Sequence, residues 1–110
     1  MQDLQKKRFS KPDKTIRMSR SRIDTIEMGD ASVAKMTYRP GWRWSKDVKP
    51  VAKTDWCEMH HTLYCLEGRM GLRMKDGVEL EIGPGDVVDI PPGHDGWVIG
   101  NKPAIVLALA

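Results

Sequence analysis

Apolar and polar residues alternate along most of the chain with a period of two. Ala34, Met36 and Tyr38 alternate with polar neighbours until Pro40-Gly41 ends the segment. Because successive side chains of a strand point to opposite faces of a sheet, this alternation predicts a half-buried strand. Shorter apolar or alternating segments, also predicted to be strands, lie at residues 16–18, 26–28, 72–74, 78–82, 87–90, 97–99 and 104–109.

Turn signals separate these segments at short intervals. Asp76-Gly77 stands between two alternating runs, and this pair is typical of a tight hairpin because both residues tolerate positive φ. Gly83-Pro84-Gly85-Asp86 predicts another turn. No segment of ten or more residues has a clean 3.6-residue period with helix caps. The chain is therefore predicted to be all-β, a sandwich or barrel with less than about 10% helix.

Positive charge is concentrated at the start of the chain. Residues 1–22 carry eight Lys and Arg against two Asp, whereas residues 23–110 carry ten basic and thirteen acidic residues. Such a tail could bind nucleic acid, but no recognition helix, finger spacing or aromatic ladder follows it. We therefore expect no nucleic-acid partner. The predicted organisation is a basic N-terminal arm at residues 1–14 and one barrel domain at residues 15–110.

Hydropathy and cysteine content bear on the compartment. The longest apolar run, residues 104–110, has seven residues, far fewer than the roughly 20 needed to span a bilayer. The first residues contain no apolar stretch that would form a secretory signal, and the chain has two cysteines. These features predict a cytoplasmic protein with free thiols and no membrane partner.

Cys57, His61 and His94 are the candidate metal ligands. A thiolate with two imidazoles suits a divalent transition metal, namely Zn, Fe, Ni or Cu. Residues four apart on an extended strand are separated by about 13 Å, so Cys57 and His61 can share an ion only if the chain bends between them. The alternative is that the three side chains are buried and neutral without a metal.

Two short motifs resemble those of the cupin superfamily. Leu66-Glu67-Gly68 follows the Cys/His segment, and Pro84-Gly85-Asp86 precedes Pro91-Pro92-Gly93 by four residues. The runs Cys57-x2-His60-His61 and Pro91-Pro92-Gly93-His94-Asp95-x-Trp97 are also similar to a group of small single-domain bacterial cupins. The resemblance implies a cupin-type double-stranded β-helix, or jelly-roll barrel.

The resemblance also implies positions for the ligands. Counted from Gly68, Asp55 and Cys57 fall on the two histidine positions of the first motif, and His61 falls on its glutamate position. The histidine position of the second motif falls on Gly96, so His94 lies two residues early. Within this frame the resemblance implies a metal held by Cys57, His61 and His94, with at least one coordination position open.

The resemblance to cupins indicates a general class of function but no specific reaction. The resemblance implies a small metal-binding cupin that acts on or binds a small molecule, with a metal-dependent oxygenase or isomerase as the enzymatic possibility. The alternative is a non-catalytic module that binds or senses a small molecule. Since both sheet faces carry apolar residues, a homodimer is also expected.

The parity of the residues around Gly68 leaves one question open. Leu66 and Leu72 have even numbers, whereas Cys57 and His61 have odd numbers, so strict alternation places the two groups on opposite faces. Either both faces are buried, or a bulge at Gly68 reverses the phase. If neither holds, His60 replaces His61 as the inward residue.

Other residues have two possible uses each. Asp95 could orient the His94 imidazole or could serve the turn alone. Cys65 is expected to be a small core residue, in one strand with Cys57 and about 26 Å from it, too far for a disulfide. Four tryptophans could line a pocket or pack in the core: Trp42, Trp44, Trp56 and Trp97.

Overall fold

The computed structural model describes residues 3–109, and it confirms the all-β prediction. Helix is limited to two segments of four residues in this part of the chain. The elements are β1 (Lys14–Met18), β2 (Ser21–Met28), β3 (Ala31–Tyr38), α1 (Trp44–Asp47), α2 (Lys49–Ala52), β4 (His61–Glu67), β5 (Arg69–Met74), β6 (Glu79–Ile82), β7 (Val87–Ile90), β8 (His94–Ile99) and β9 (Ala104–Leu109).

The strands form two antiparallel sheets that enclose one core. The larger sheet has the order β1-β2-β3-β9-β4-β7, and the smaller has the order β6-β5-β8. Cys65 and Val106 of the larger sheet are fully buried, and Met70, Leu72 and Ile82 of the smaller sheet belong to the same apolar cluster. This two-sheet barrel confirms the predicted jelly roll. No helix in residues 3–109 is long and apolar enough to cross a membrane.

The hairpin predicted at Asp76-Gly77 joins β5 to β6. Gly77 has a φ of 97°, and the Asp76 carboxylate accepts a hydrogen bond of 3.0 Å from the Val78 amide. The hairpin pairs Leu72 with Leu80 and Met70 with Ile82. Met70, Leu72 and Ile82 are each less than 10% exposed, so this register buries the apolar face.

A bulge near the end of β4, followed by Gly68, resolves the parity question. Leu63 and Cys65 face the core, while Leu66 is 39% exposed. The register of β4 against β9 then shifts between Cys65 and Glu67, and Gly68 has a φ of 75°. After this irregularity the even-numbered Met70 and Leu72 of β5 face the core. The phase reversal predicted as one alternative is therefore confirmed.

The segment that precedes β1 lies along β2 and β3. Lys7 Nζ donates hydrogen bonds to the Asp13 carboxylate and, at 2.7 Å, to the Glu27 carbonyl. Lys35 of β3 extends its ammonium over the Phe9 ring, 5.4 Å from the centroid. These contacts are mostly exposed, and pairs of that kind contribute little to stability. The division into arm and barrel stays a prediction.

Asp47 anchors the loop that follows β3. Its buried carboxylate accepts hydrogen bonds from Ser19 Oγ at 2.7 Å, Arg20 Nη1 at 3.1 Å and the Arg43 amide at 2.9 Å. Burial alone would raise the pKa of the Asp47 carboxyl, but these three donors outweigh it and hold the pKa below its usual range. Asp47 thereby fastens the loop that carries Trp44 to the β1–β2 turn.

Asp47→Asn should lower the free energy of unfolding by about 2–3 kcal/mol, because an amide cannot satisfy three donors at a buried position. That loss corresponds to a fall in Tm of roughly 10 °C for a domain of this size. The folded-state pKa lies below the unfolded value, so the contribution is present above the unfolded pKa and disappears as pH falls through the folded one. Thermal unfolding between pH 3 and 7 measures both effects. Asp55→Asn is the control, because the side chain of Asp55 is 88% exposed. Equal Tm values for the two variants at pH 7 would contradict the stabilising role of the Asp47 carboxylate.

Candidate metal centre

Cys57, His61 and His94 meet at one point inside the barrel. One potential ligand atom from each residue lies within 4.8 Å of the other two. Cys57 forms an isolated bridge with His94, whose carbonyl accepts from the Cys57 amide at 2.8 Å. His61 is the first residue of β4 and His94 is the first residue of β8. The cluster therefore joins the beginnings of two strands from opposite sheets.

The chain bends between Cys57 and His61. Residues 58–60 have no regular secondary structure, and β4 begins only at His61. As a result, Cys57 Sγ lies 3.8 Å from His61 Nε2 rather than the extended-strand distance. The expectation that Cys57 and Cys65 share one strand was wrong, because Cys57 lies outside β4. Both cysteines are buried and free, as expected.

The hydrogen bond of His94 fixes its tautomer. Nδ1 lies 2.8 Å from the Pro91 carbonyl oxygen, which can only accept. Nδ1 therefore carries a proton, and Nε2 is the ring nitrogen left to face a metal. The His94 ring lies edge-on to the His61 ring at a centroid separation of 5.3 Å. A backbone carbonyl that orients an imidazole in this way is a common partner of metal-binding histidines.

Burial keeps the thiol and the imidazole of the cluster neutral. It raises the pKa of the Cys57 thiol, and nearby Glu58 adds to the rise although a backbone hydrogen bond at Met59 opposes it. Burial also lowers the pKa of His61, with the charges of His94 and His60 acting in the same direction. Both shifts disfavour the thiolate–imidazolium pair that an activated cysteine nucleophile requires.

His60 points away from the cluster. Its side chain is 59% exposed, and its Nε2–H donates to Asp89 Oδ1 at 2.6 Å. Thr62 Oγ1 donates to the same carboxylate oxygen at 3.0 Å. This pairing lies on the outer face of β4 and β7. His61 is therefore the inward residue, and the alternative in which His60 replaces it was wrong.

Two acidic residues considered for the site lie outside it. Asp55 is 88% exposed and contacts Lys49, so its place in the first-motif frame does not bring it inward. Asp95 accepts hydrogen bonds from the Ser45 amide at 3.1 Å and from Arg43 at 3.4 Å. Asp95 thus supports the beginning of α1 and does not orient His94, which was one of the two alternatives left open for it.

A cavity of about 200 Å³ lies beside the three side chains, which form part of its wall. Part of the wall is aromatic: the Tyr38 and Trp42 rings pack with centroids 4.1 Å apart and planes tilted by 36°, and Trp44 also lines the cavity. Met59, which is 65% exposed, lies at the mouth. The cavity is almost entirely apolar.

Two of the four tryptophans, Trp42 and Trp44, line this cavity. Tyr38 lines it as well, although it was not among the candidate site residues predicted from the sequence. Trp56 does not line it, and Trp97 packs on the outer side of the small sheet, with Arg43 4.6 Å above its ring. The alternation of β3 places Tyr38 on the same face as Met36, which also lines the cavity. That shared face was the signal in the sequence that could have identified Tyr38.

No family model matches the sequence, and no curated protein matches it. Solved structures are nevertheless similar in fold. A polyketide cyclase from Streptomyces resistomycificus is 23% identical, with a TM-score of 0.69 over 98% of this chain and 79% of that one. A cupin-like protein from Thermotoga maritima is 15% identical, with a TM-score of 0.60 over 82% of this chain and 67% of that one.

A sugar phosphate isomerase from a cupin superfamily, from Silicibacter pomeroyi, is 18% identical. Its TM-score is 0.59, over 82% of this chain and 58% of that one. At these identities the likeness concerns the fold and not the reaction. Together with the two-sheet barrel described above, these structures identify the fold of this chain as that of the cupin superfamily.

Proposed function

We propose that this cupin barrel is a metal-dependent small-molecule centre. In this proposal Cys57, His61 and His94 hold a divalent transition metal, which is Zn, Fe, Ni or Cu, and leave at least one coordination position facing the cavity. The observation that carries the proposal is the convergence of a thiol and two imidazoles within 4.8 Å at the wall of an apolar cavity.

The spacing of the donor atoms supports the assignment. Typical Zn–S and Zn–N bonds in a tetrahedral site place the sulfur and nitrogen about 3.6 Å apart. Cys57 Sγ and His61 Nε2 are 3.8 Å apart. One thiolate leaves a divalent ion with a net charge of about +1, and the donors are too soft for Mg²⁺ or Ca²⁺.

An ion at this position would supply Lewis acidity toward an oxygen atom of a bound molecule. The protein supplies the surroundings. The Pro91 carbonyl keeps the His94 ring in one orientation, and the cavity walls are almost entirely apolar. Tyr38 and Trp42 offer an aromatic surface to the ligand.

A non-catalytic binding or sensing module is the second candidate. It is favoured by one observation: among the described residues that line the cavity there is no Asp or Glu. General acid or base catalysis would then depend on the imidazoles, on Tyr38 or on metal-bound water. Turnover of a bound molecule distinguishes the enzyme from the module, whereas metal binding is common to both.

Adjacent histidines provide a matched test of the metal site. Untagged protein should take up about one equivalent of Zn²⁺ or Co²⁺, and His61→Ala should lose at least tenfold in affinity because it removes an inward imidazole. His60→Ala is the control, since its side chain is exposed and bound to Asp89. Metal analysis after equilibrium dialysis measures the stoichiometry. No uptake by the wild type, or equal loss in both variants, would refute the proposal.

The predicted homodimer also stays a proposal. Three apolar side chains on the outer face of β4 and β7 support it: Tyr64, Leu66 and Val87 are 36%, 39% and 66% exposed. Val87 lies directly opposite Tyr64 in the strand register. Light scattering at micromolar concentration measures the oligomeric state, and a monomer at that concentration would contradict the proposed homodimer. The cytoplasmic location is likewise an expectation.

A further inference from the structure

The lining of the cavity bears directly on the charge of its ligand. In the part of the chain that the structure describes, no Lys, Arg, Asp or Glu lines it. A carboxylate or phosphate inside would lose its hydration without gaining a protein cation, and burial of such an unpaired charge is strongly unfavourable. In the metal-free protein the walls therefore favour a neutral ligand over an anion.

The volume of the cavity limits the size of its ligand. Drug-sized molecules occupy pockets of roughly 300–1,000 Å³, whereas an apolar cavity of about 150 Å³ in another protein binds benzene. A cavity of about 200 Å³ accordingly fits a single six-membered ring with a short substituent. The aromatic surface of Trp42 and Tyr38 is suited to such a ring.

Tyr38 supplies one polar group to this apolar space. It is 8% exposed and lines the cavity, and its hydroxyl makes no side-chain hydrogen bond with the described residues. Burial, followed by the charge of nearby Cys57, raises the pKa of Tyr38 well above its usual range. A tyrosine hydroxyl is ordinarily protonated at neutral pH, so it can donate to an acceptor in the cavity.

We infer that the cavity binds an uncharged molecule of about one ring, whose single oxygen accepts a hydrogen bond from the Tyr38 hydroxyl beside the Cys57–His61–His94 cluster. This inference rests on the proposed function only for the second contact of that oxygen, with the metal. The ring occupies the apolar walls, and the oxygen meets the one phenol available there among the described residues. Tyr38 acts as a positioning and specificity-determining residue.

Three probes of nearly equal size separate these contributions. Benzyl alcohol carries a neutral oxygen, toluene lacks the oxygen, and benzoate adds a negative charge. Isothermal titration of metal-free protein should give a Kd for benzyl alcohol on the order of 1 mM or lower, and weaker binding of both other probes. The side-chain N–H signals of Trp42 and Trp44 report by NMR whether the probe enters this cavity.

Tyr38→Phe isolates the hydroxyl. It should weaken benzyl alcohol about tenfold, as expected for one hydrogen bond, and leave toluene unchanged. Tyr64→Phe is the matched control because that phenol lies outside the cavity. A shared Tm of wild type and variants establishes that both variants are folded.

Each result has a defined meaning. Benzoate binding as tight as that of benzyl alcohol to metal-free protein would overturn the neutral-ligand inference. An equal effect of Tyr38→Phe on toluene and benzyl alcohol would overturn the contribution of the hydroxyl, and so would the absence of binding by all three probes. Repeating the titrations with Zn²⁺-loaded protein tests the metal contact separately. Failure of metal uptake alone would refute the proposed function and leave the metal-free result standing.

Discussion

Gly68→Ala should lower the free energy of unfolding by about 3–4 kcal/mol, which corresponds to a fall in Tm of roughly 15 °C or more. An ideal Cβ at this position would lie 2.2 Å from the Pro103 carbonyl oxygen and 2.7 Å from Ala104 Cα. Both are backbone atoms of the segment entering β9, so neither can rotate away. The φ of 75° adds left-handed strain of about 1 kcal/mol for any residue with a Cβ.

Gly77→Ala separates the steric effect from the backbone strain. Gly77 also has a positive φ, 97°, but no atom of the described residues lies within 4 Å of the place that an added Cβ would take. This variant should therefore lose only about 1 kcal/mol. Chemical denaturation of both variants measures the difference. Similar losses for the two would show that the close approach to Pro103 contributes little.

The irregularity at Gly68 also determines which residues face the candidate metal site. The bulge beside it lets β4 direct odd-numbered residues inward while β5 directs even-numbered ones inward. His61 thereby faces the same interior as Met70 and Leu72, and all three line the cavity. Without this phase change, a continuous alternation would place His61 and Leu72 on opposite faces.

Regular periodicity made much of the fold predictable. The hairpin at Asp76-Gly77 and the strand over residues 87–90 follow from local turn chemistry and alternation, and the structure confirms both. Helix α1 escaped prediction because contacts with distant parts of the chain hold it in place. The Asp47 carboxylate accepts a hydrogen bond from Ser19 Oγ, and the Asp95 carboxylate accepts one from the Ser45 amide.

The candidate metal ligands could be identified from the sequence by residue type. Their proximity in space could not, because it depends on a segment with irregular backbone conformation. No periodic pattern encodes the bend over residues 58–60, which brings Cys57 next to His61. Nor does sequence spacing show that Trp97 packs flat on Gly71, where an added Cβ would lie 2.3 Å from the indole. That packing turns Trp97 away from the cavity, although Trp42 and Trp44 line it.

Zn²⁺ should stabilise the folded protein strongly, because the three ligands are gathered only in the native state. Binding to the native state alone contributes about 4 kcal/mol at a free metal concentration of roughly 1,000 times the Kd. Differential scanning calorimetry with and without Zn²⁺ measures the gain as a rise in Tm. A chelator should reverse it. Cys57→Ala should abolish this rise, and Cys65→Ala is the matched control because it removes the other buried thiol outside the cluster.

The gain from Zn²⁺ should also grow as pH rises. The metal binds the thiolate, whereas burial raises the pKa of the Cys57 thiol and keeps it protonated near neutrality. Each unit of pH below that pKa therefore costs about tenfold in apparent affinity, or about 1.4 kcal/mol of metal-dependent stabilisation. The lowered pKa of His61 keeps its imidazole neutral at pH 7–8, so the thiol proton is the main competitor of the metal there. A metal-dependent Tm rise that is the same at pH 7 and pH 8, or that persists in Cys57→Ala, would exclude Cys57 as a ligand.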